Sequence, residues 1–366
     1  MTTLTGSAAV LGDPLARRSV EVLKAGQARS GAIVAAPTFP VYGYSWLRDG
    51  AFCARALDLV GEHAAAAAFH RWVATSIEAH RALFESAIGA VTNGETPAAT
   101  LMPPARYTLD GTLERADDEP WPNFQVDGYG MWLWSLETHT AGVPVAAELE
   151  ATVRLVARYL AAAWQLKCFN CWEEYDGGEH ASTLGAVVAG LESAARLLDD
   201  AIPAAEAAVV RRRLLERFVA DGQFTRGADD RRVDGSLLWL STPFGVLPAD
   251  DPRIAATVEG VRRELGGPGG GIYRYPGDTY YGGGQWLLLT SSLTWHDVVA
   301  GDAEAAAASR DWVRRQALPN GDLPEQVSEN AQDPSMVDPW VRRWGTVATP
   351  LLWSHAMYLI AELAAR

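Results

Sequence analysis

Helical segments of two kinds alternate along this chain, and that alternation constrains the fold more than any other feature of the sequence. One kind is amphipathic and charged. Near 13–29, 62–81, 147–165, 203–220, 252–264 and 302–317, Ala, Leu and Val recur at helical spacing against Arg and Glu, as helices with one solvated face require. The other kind begins just after turns rich in Gly, Asp, Ser or Thr, residues that cap helix N-termini. These segments run roughly 49–60, 127–140, 182–198, 236–247, 284–298 and 349–364 and include MWLWSL, GAVVAGL and WLLLTSSL, apolar on most sides and suited to burial. Six outer and six inner helices predict an all-α (α/α)6 barrel, with residues 1–366 as one domain. A two-layer helical solenoid would use the same pairs, but the repeat number and the long loops ahead of the inner helices favour closure into a ring. The β signal is confined to short ambiguous stretches at Gly31–Pro40 and Gly271–Tyr275.

Composition narrows the partners. The chain is 48% hydrophobic and 21% charged, enough for a large core. A net charge of −14 without any Lys/Arg-rich cluster argues against nucleic acid, which needs a concentrated basic surface. No apolar run reaches about 18 residues and no basic n-region precedes an apolar h-region, so a cytoplasmic protein without a membrane partner is expected. Three cysteines make no disulfide framework, and Cys168 and Cys171 form a lone C-x-x-C without a second pair for zinc, so they read as packing residues. Asp117, Asp118 and Glu119 lack EF-hand spacing and read as a solvated loop. GGPGGG at 266–271 lacks the Lys-Ser/Thr of a phosphate loop and reads as a flexible turn. No His/Asp/Glu spacing indicates zinc, so neither metal nor cofactor is expected; His180 is expected to cap or line the helix after its loop, and His355 to be a hydrogen-bonded core residue.

The unusual residues collect in the turns before the inner helices: YGYSWLRDG at 42–50, WPNFQVDGYG at 121–130, CWEEYDGG at 171–178, RYPGDTYYGGG at 274–284 and LPEQ at 323–326. Inner helices of an αα-hairpin barrel run parallel to one another, so these loops converge on one mouth. Helix dipoles there favour oxygen-rich ligands. Flat aromatic faces cover the C–H surfaces of sugar rings, and charged groups beside them hydrogen-bond hydroxyls, so a small oligosaccharide is the expected partner. Filling the barrel core is the alternative role for the tryptophans as a set.

Across residues 40–360 these ordered motifs resemble glycoside hydrolase family 15, the glucoamylases and glucodextranases. The resemblance implies that Arg48 and Asp49 grip a terminal glucose, with Tyr42 and Trp46 lining the same subsite. It implies that Trp121 supports the catalytic acid, with Gln125 and Asp127 near it. In CWEEYDGG it makes Glu173 the acid and Glu174 a ligand for the neighbouring sugar; Arg274 and Tyr280 become substrate-binding residues. LPEQ and the later LLWSHA are similar to the closing motifs, which implies Glu325 as general base and Trp353 as a subsite aromatic. Two departures stand out: VSENAQDPSMVDPWVRRWGTVATP, after Gln326, is longer and more polar than the usual connection, and the chain is too short for the N-terminal β-sandwich that bacterial members commonly carry.

The implied activity is inverting, exo-acting α-glucoside hydrolysis. One carboxylic acid protonates the leaving oxygen while a carboxylate activates water on the other ring face. The acid must hold its proton near neutral pH, for which Glu174 or the desolvating Trp172 could raise its pKa; the base should stay ionised. Short α-1,6-linked oligosaccharides such as isomaltose are the preferred substrates, with trehalose or maltooligosaccharides as alternatives. A non-catalytic sugar-binding protein would keep the aromatics but need not retain both glutamates.

Overall fold

The computed structural model describes residues 10–114, 121–174 and 177–365, so the Asp117–Glu119 stretch lies outside the described residues. Its helices, in chain order, are α1 (Pro14–Ala25), α2 (Leu47–Leu59), α3 (His63–Ala79), α4 (Arg81–Thr92), α5 (Asp127–His139), α6 (Ala147–Ala163) and α7 (Ala181–Leu198). They continue as α8 (Ala201–Arg217), α9 (Pro252–Leu265), α10 (Leu287–Ala300), α11 (Ala303–Arg315), α12 (Val337–Trp344) and α13 (Leu352–Ala364). A 3₁₀ helix, Gly235–Leu240, lies between α8 and α9.

The least polar segments close on themselves. α2 packs on α5, α5 on α7, α7 on the 3₁₀ helix, that helix on α10, α10 on α13, and α13 back on α2. This ring of six is the inner wall of an (α/α)6 barrel. α3, α6, α8, α9 and α11 cover it from outside, each the second arm of a hairpin, and α1 supplies the sixth outer position against α13. The inner surfaces meet tightly where α5 crosses α7: a Cβ on Gly190 would lie 2.4 Å from the Gly130 Cα, and one on Gly130 2.2 Å from the Ala186 carbonyl oxygen. Only glycine permits that approach.

Start signals distinguish the two layers. Asp13, Asp200, Asp251 and Asp302 each accept a backbone N–H at the start of an outer helix. None of α2, α5, α7, α10 and α13 has a side-chain N-cap bond. Loop carbonyls instead take the first N–H of α2, α7, α10 and α13, and the Asp127 carboxylate takes the Gly128 N–H of α5, while the positive dipole ends of these helices point to the mouth of the barrel.

Three expectations need correction. The inner segment expected at 236–247 is helical only over Gly235–Leu240, because Pro243 has no N–H to continue the ladder and disfavours helical backbone at Thr242. α4 follows α3 across a break at His80, whose ring bonds the Gly111 carbonyl at 3.1 Å; the 62–81 pattern did not separate it. The glycines at 266–271 serve close packing rather than flexibility: a Cβ on Gly271 would lie 2.3 Å from the Trp312 ring.

Strand structure is limited to three two-residue ladders among the described residues, β1 (Ser45–Trp46) with β2 (Arg106–Tyr107), β3 (Val219–Ala220) with β4 (Gln223–Phe224), and β5 (Gln285–Trp286) with β6 (Gln326–Val327). β1 and β5 each run directly into an inner helix and fix the tryptophan that precedes it. No helix among the described residues is long and apolar enough to cross a membrane.

Candidate active site

The loop after α6 turns sharply at Glu173, whose φ of +65° lies in the left-handed region that non-glycine residues rarely occupy. Asn170 holds the turn. Its carbonyl accepts the Glu173 N–H at 2.9 Å, and its Oδ1 accepts the Trp172 and Glu174 N–H groups at 3.2 and 3.1 Å. Strain of about 1–3 kcal/mol retained at such a residue is typical of a functional position. Here it throws the two adjacent carboxyl groups apart.

Glu173 points to the tryptophans. Trp46 and Gln125 donate to its Oε1 at 2.6 and 2.8 Å, Trp121 donates to Oε2 at 2.8 Å, and the Arg48 guanidinium stands 3.5 Å from Oε1. Glu174 points the other way, accepting Arg274 Nη2 at 2.7 Å and the Tyr275 hydroxyl. Trp172 donates to both oxygens of Asp234 at 3.0 Å. Neither Glu174 nor Trp172 hydrogen-bonds Glu173, whose partners come from the loops before α2 and α5 instead. Behind those loops Arg106, which ion-pairs with Glu114, stacks 4.1 Å from the Tyr44 ring and 4.3 Å from the Trp121 ring.

Glu325 sits across the mouth in a loop fastened to α13. His355 Nε2 accepts the Leu323 N–H at 3.0 Å, Ser354 donates to the Pro324 carbonyl at 2.9 Å, and Glu325 N–H reaches the Ala348 carbonyl at 3.0 Å. His355 is thus the hydrogen-bonded core residue expected. His180 lies at the start of α7 with its ring on the Cys168 carbonyl at 3.0 Å, and makes no side-chain cap. Glu325 is only 2% exposed. Tyr42 donates to its Oε1 at 3.2 Å and also bonds the Tyr280 hydroxyl at 2.8 Å. Burial pushes the Glu325 carboxyl up to about 8, against the opposing effects of Arg274 and the tyrosine hydroxyls. Burial thus works against the ionised state expected of this carboxyl, and Arg274 and the tyrosine hydroxyls work for it.

The other ionic groups are held in place. Arg48 bonds Gln125 Oε1 at 2.6 Å and pairs with Asp127 at 3.3 Å; Asp127, 1% exposed, serves as its buried counter-ion. Arg274 grips both oxygens of Asp278 at 2.7 Å. Asp49, in the first turn of α2, is pushed up to about 7 by burial, with Arg48 opposing.

Two adjoining cavities occupy the mouth. The inner, of about 450 Å³, is lined by Tyr42, Trp46, Arg48, Asp49, Trp172, Glu173, Arg274, Glu325 and Trp353, with Cys171 and Trp286 among the rest. The outer, of about 690 Å³, shares Tyr42, Trp172, Glu173 and Arg274 and adds Trp121, Glu174, Tyr280, Trp340, Arg343 and Trp344. Gln125 and Asp127 line neither and act from behind, through Arg48 and Glu173. In the inner cavity the buried Arg48 Nε, Asp49 Oδ2, Trp286 Nε1, Trp353 Nε1 and Glu325 Oε2 have no hydrogen-bond partner among the described residues, although the first two pair loosely at 3.5 Å. Desolvated donors and acceptors of this density suit hydroxyl groups, whether of water or of a polyhydroxylated ligand.

Sequence reasoning missed Trp286, Trp340, Arg343 and Trp344. Trp286 repeats the Trp46 pattern, a tryptophan followed by leucine at the first turn of an inner helix, and that internal match could have found it. The other three lie on α12, inside the stretch that departs from the family pattern.

A helical barrel whose mouth sets two carboxyl groups among tryptophans and arginines defines a sugar-cleaving hydrolase. The chain belongs to the Glycosyl hydrolases family 15, whose profile matches residues 16–319. It is 42% identical to the isomaltose glucohydrolase of Kribbella flavida over 354 residues, 94% of this chain and 91% of that one. A glycosidase variant solved in complex with glucose superposes with a TM-score of 0.91 at 40% identity, covering 99% of each chain. A bacterial glucoamylase complexed with acarbose shares the fold, with a TM-score of 0.77 at 21% identity over 99% of this chain and 56% of that one.

Proposed function

We propose that this chain is an inverting exo-α-glucosidase that releases β-D-glucose from the non-reducing end of short α-glucosides, isomaltose first among them, with Glu173 as general acid and Glu325 as general base. The observation that carries the proposal is the placement of the two glutamates relative to the two cavities. Glu173 lines both, so it stands where a bond between an inner and an outer sugar would lie; Glu325 lines only the inner one. The inner space, ringed by Arg48, Asp49, Arg274 and Trp353, suits the glucosyl unit, and the outer space suits the leaving sugar between Glu174, Tyr280 and the tryptophans of α12. The glucohydrolase activity in the name of the 42% identical relative supports isomaltose, and the glucose held by the similar glycosidase supports a glucosyl ligand.

In the proposed reaction, a protonated Glu173 gives its proton to the glycosidic oxygen as the bond to the anomeric carbon breaks. A carboxylic acid still accepts on its oxygens while donating, so the N–H groups of Trp46, Gln125 and Trp121 can hold it in that geometry. Glu325, ionised, takes a proton from a water on the opposite ring face through its unpartnered Oε2. The water oxygen bonds the anomeric carbon, and the configuration inverts. The two carboxyls must stand roughly 6.5–9.5 Å apart to admit that water.

The reading also treats residues 1–366 as one catalytic barrel in the cytoplasm. A main hydrophobic core from Val10 to Ile360, with a small second cluster of Ala35, Trp46 and Ala105 at the mouth, supports the first, and three buried free cysteines are compatible with the second. Proton NMR of the first sugar released from isomaltose, maltose, trehalose and dextran tests the whole. β-Glucose should appear first, fastest from isomaltose, and initial α-glucose would refute inversion. Glu173→Gln and Glu325→Gln should each lose nearly all turnover; retention by either reassigns that role, and a protein that binds glucose without cleaving any panel member is a sugar-binding protein.

A further inference from the structure

At the far ends of the inner helices, opposite the sugar mouth, stands a second cluster of ionisable groups. Asp58 lies one residue before the end of α2, His139 is the last residue of α5, and His70 faces both from α3. One donor atom from each lies within 4.8 Å of the others. His139 Nδ1 is 2.9 Å from both Asp58 oxygens, and the exposed His63 puts its Nδ1 3.0 Å from Asp58 Oδ1. Hydrogen bonds therefore account for Asp58 and His139. They do not account for His70.

His70 is 1% exposed and neither of its ring nitrogens has a hydrogen-bond partner among the described residues. A neutral imidazole always carries one donor and one acceptor, and burying both unpaired is costly. The His70 ring centroid lies 5.0 Å from that of His139.

We propose that Asp58, His70 and His139 bind a divalent transition-metal ion, with zinc as the best match. Two neutral imidazoles and one carboxylate form a donor set that zinc accepts, and a tetrahedral ion would have its fourth position open to water or to His63. The surroundings favour a cation, since α2 and α5 both end here and direct the negative ends of their dipoles toward the cluster. The Asp58 carboxylate stands at the centre of the cluster, within hydrogen-bond distance of both His139 and His63. Residues 58, 70 and 139 match no zinc-motif spacing; two helix ends and a neighbouring helix bring them together. An ion here would tie α2, α3 and α5 to one another, remote from the sugar chemistry.

The test uses the full chain freed of any affinity tag and stripped with EDTA, titrated with zinc sulfate by calorimetry and with cobalt(II) by visible absorption. One ion should bind per chain, raise the thermal midpoint, and give tetrahedral cobalt bands. His139→Gln and, separately, His70→Ala should lose the bound ion and the thermal shift while glucosidase activity stays at the wild-type level. Should His70→Ala fold poorly, the partly exposed His139→Gln decides alone. Absence of zinc uptake by the wild type, or equal uptake by wild type and His139→Gln, overturns the proposal and leaves water as the partner of His70.

Discussion

Glu325, the proposed base, carries a carboxyl that burial drives up to about 8. Only its ionised form can take a proton from water, and only a protonated Glu173 can serve the leaving oxygen, so one limb of the bell-shaped kcat/KM profile should lie well above the ordinary carboxylate range, near about 8. The Tyr42 hydroxyl favours the charged form of Glu325. Tyr42→Phe should therefore move that limb to still higher pH, which a kcat/KM profile of both proteins on isomaltose would reveal; an unmoved limb would mean another group controls it. The same burial predicts a trade of stability for function. A carboxyl whose pKa is raised by folding stabilises the native state fully below its unfolded value of about 4.3 and loses that contribution as pH rises through about 8. Glu325→Gln, which cannot ionise, should be inactive yet should unfold at a higher temperature than the wild type at pH values above about 8. A lower melting temperature there would show that the ionised carboxylate is well solvated.

At the scale of elements, the turn at 170–174 and helix α12 carry the chemistry's geometry. Asn170 accepts two backbone N–H groups in the turn that sends Glu173 and Glu174 in opposite directions. Asn170→Ala leaves those donors unpaired, a loss of about 1–3 kcal/mol. It should reduce kcat by about tenfold to a hundredfold, since Glu173, the proposed acid, then samples other positions. Asn170→Asp keeps the acceptor and should recover much of the rate; equal damage by both would point to folding rather than positioning. On α12, Trp340 and Trp344 pack with ring centroids 4.9 Å apart beside Arg343 at the outer cavity. Trp344→Ala should raise KM for isomaltose several-fold with a smaller effect on kcat, because a leaving-sugar platform contributes binding more than proton transfer. The ordered loop motifs and the family they resemble made Glu173, Glu325, Arg48 and Arg274 legible in the sequence, and all four line the inner cavity. α12 was not legible, because its tryptophans and arginines look like a polar connection until helical spacing aligns Trp340, Arg343 and Trp344. The divergent aim of Glu173 and Glu174 was hidden too, for it depends on a left-handed φ that no residue type announces.

For the whole molecule, the alternation of helix types revealed the ring but not how it closes. The inner wall ends with α13, and the outer position against it is filled from the other end of the chain by α1. That closure reaches the site. Ser19 of α1 bonds His355 Nδ1 at 2.9 Å while His355 Nε2 holds the loop of Glu325, and Arg18 pairs with Asp322 of the same loop at 2.8 Å. Barrel closure and the position of Glu325, the proposed base, are therefore one structural event. Leu23, fully buried on α1, offers a way to loosen it without touching any polar contact. Leu23→Ala should cost about 2–5 kcal/mol, the range for a large-to-small change in a packed interior. In urea, both activity and tryptophan fluorescence should then be lost at a lower midpoint than in the wild type, and at the same midpoint as each other, since most of the tryptophans lie in or beside the inner wall. Activity lost well before fluorescence would show instead that α1 and the Glu325 loop detach while the ring stays intact, and that the seam closing the barrel is its weakest joint.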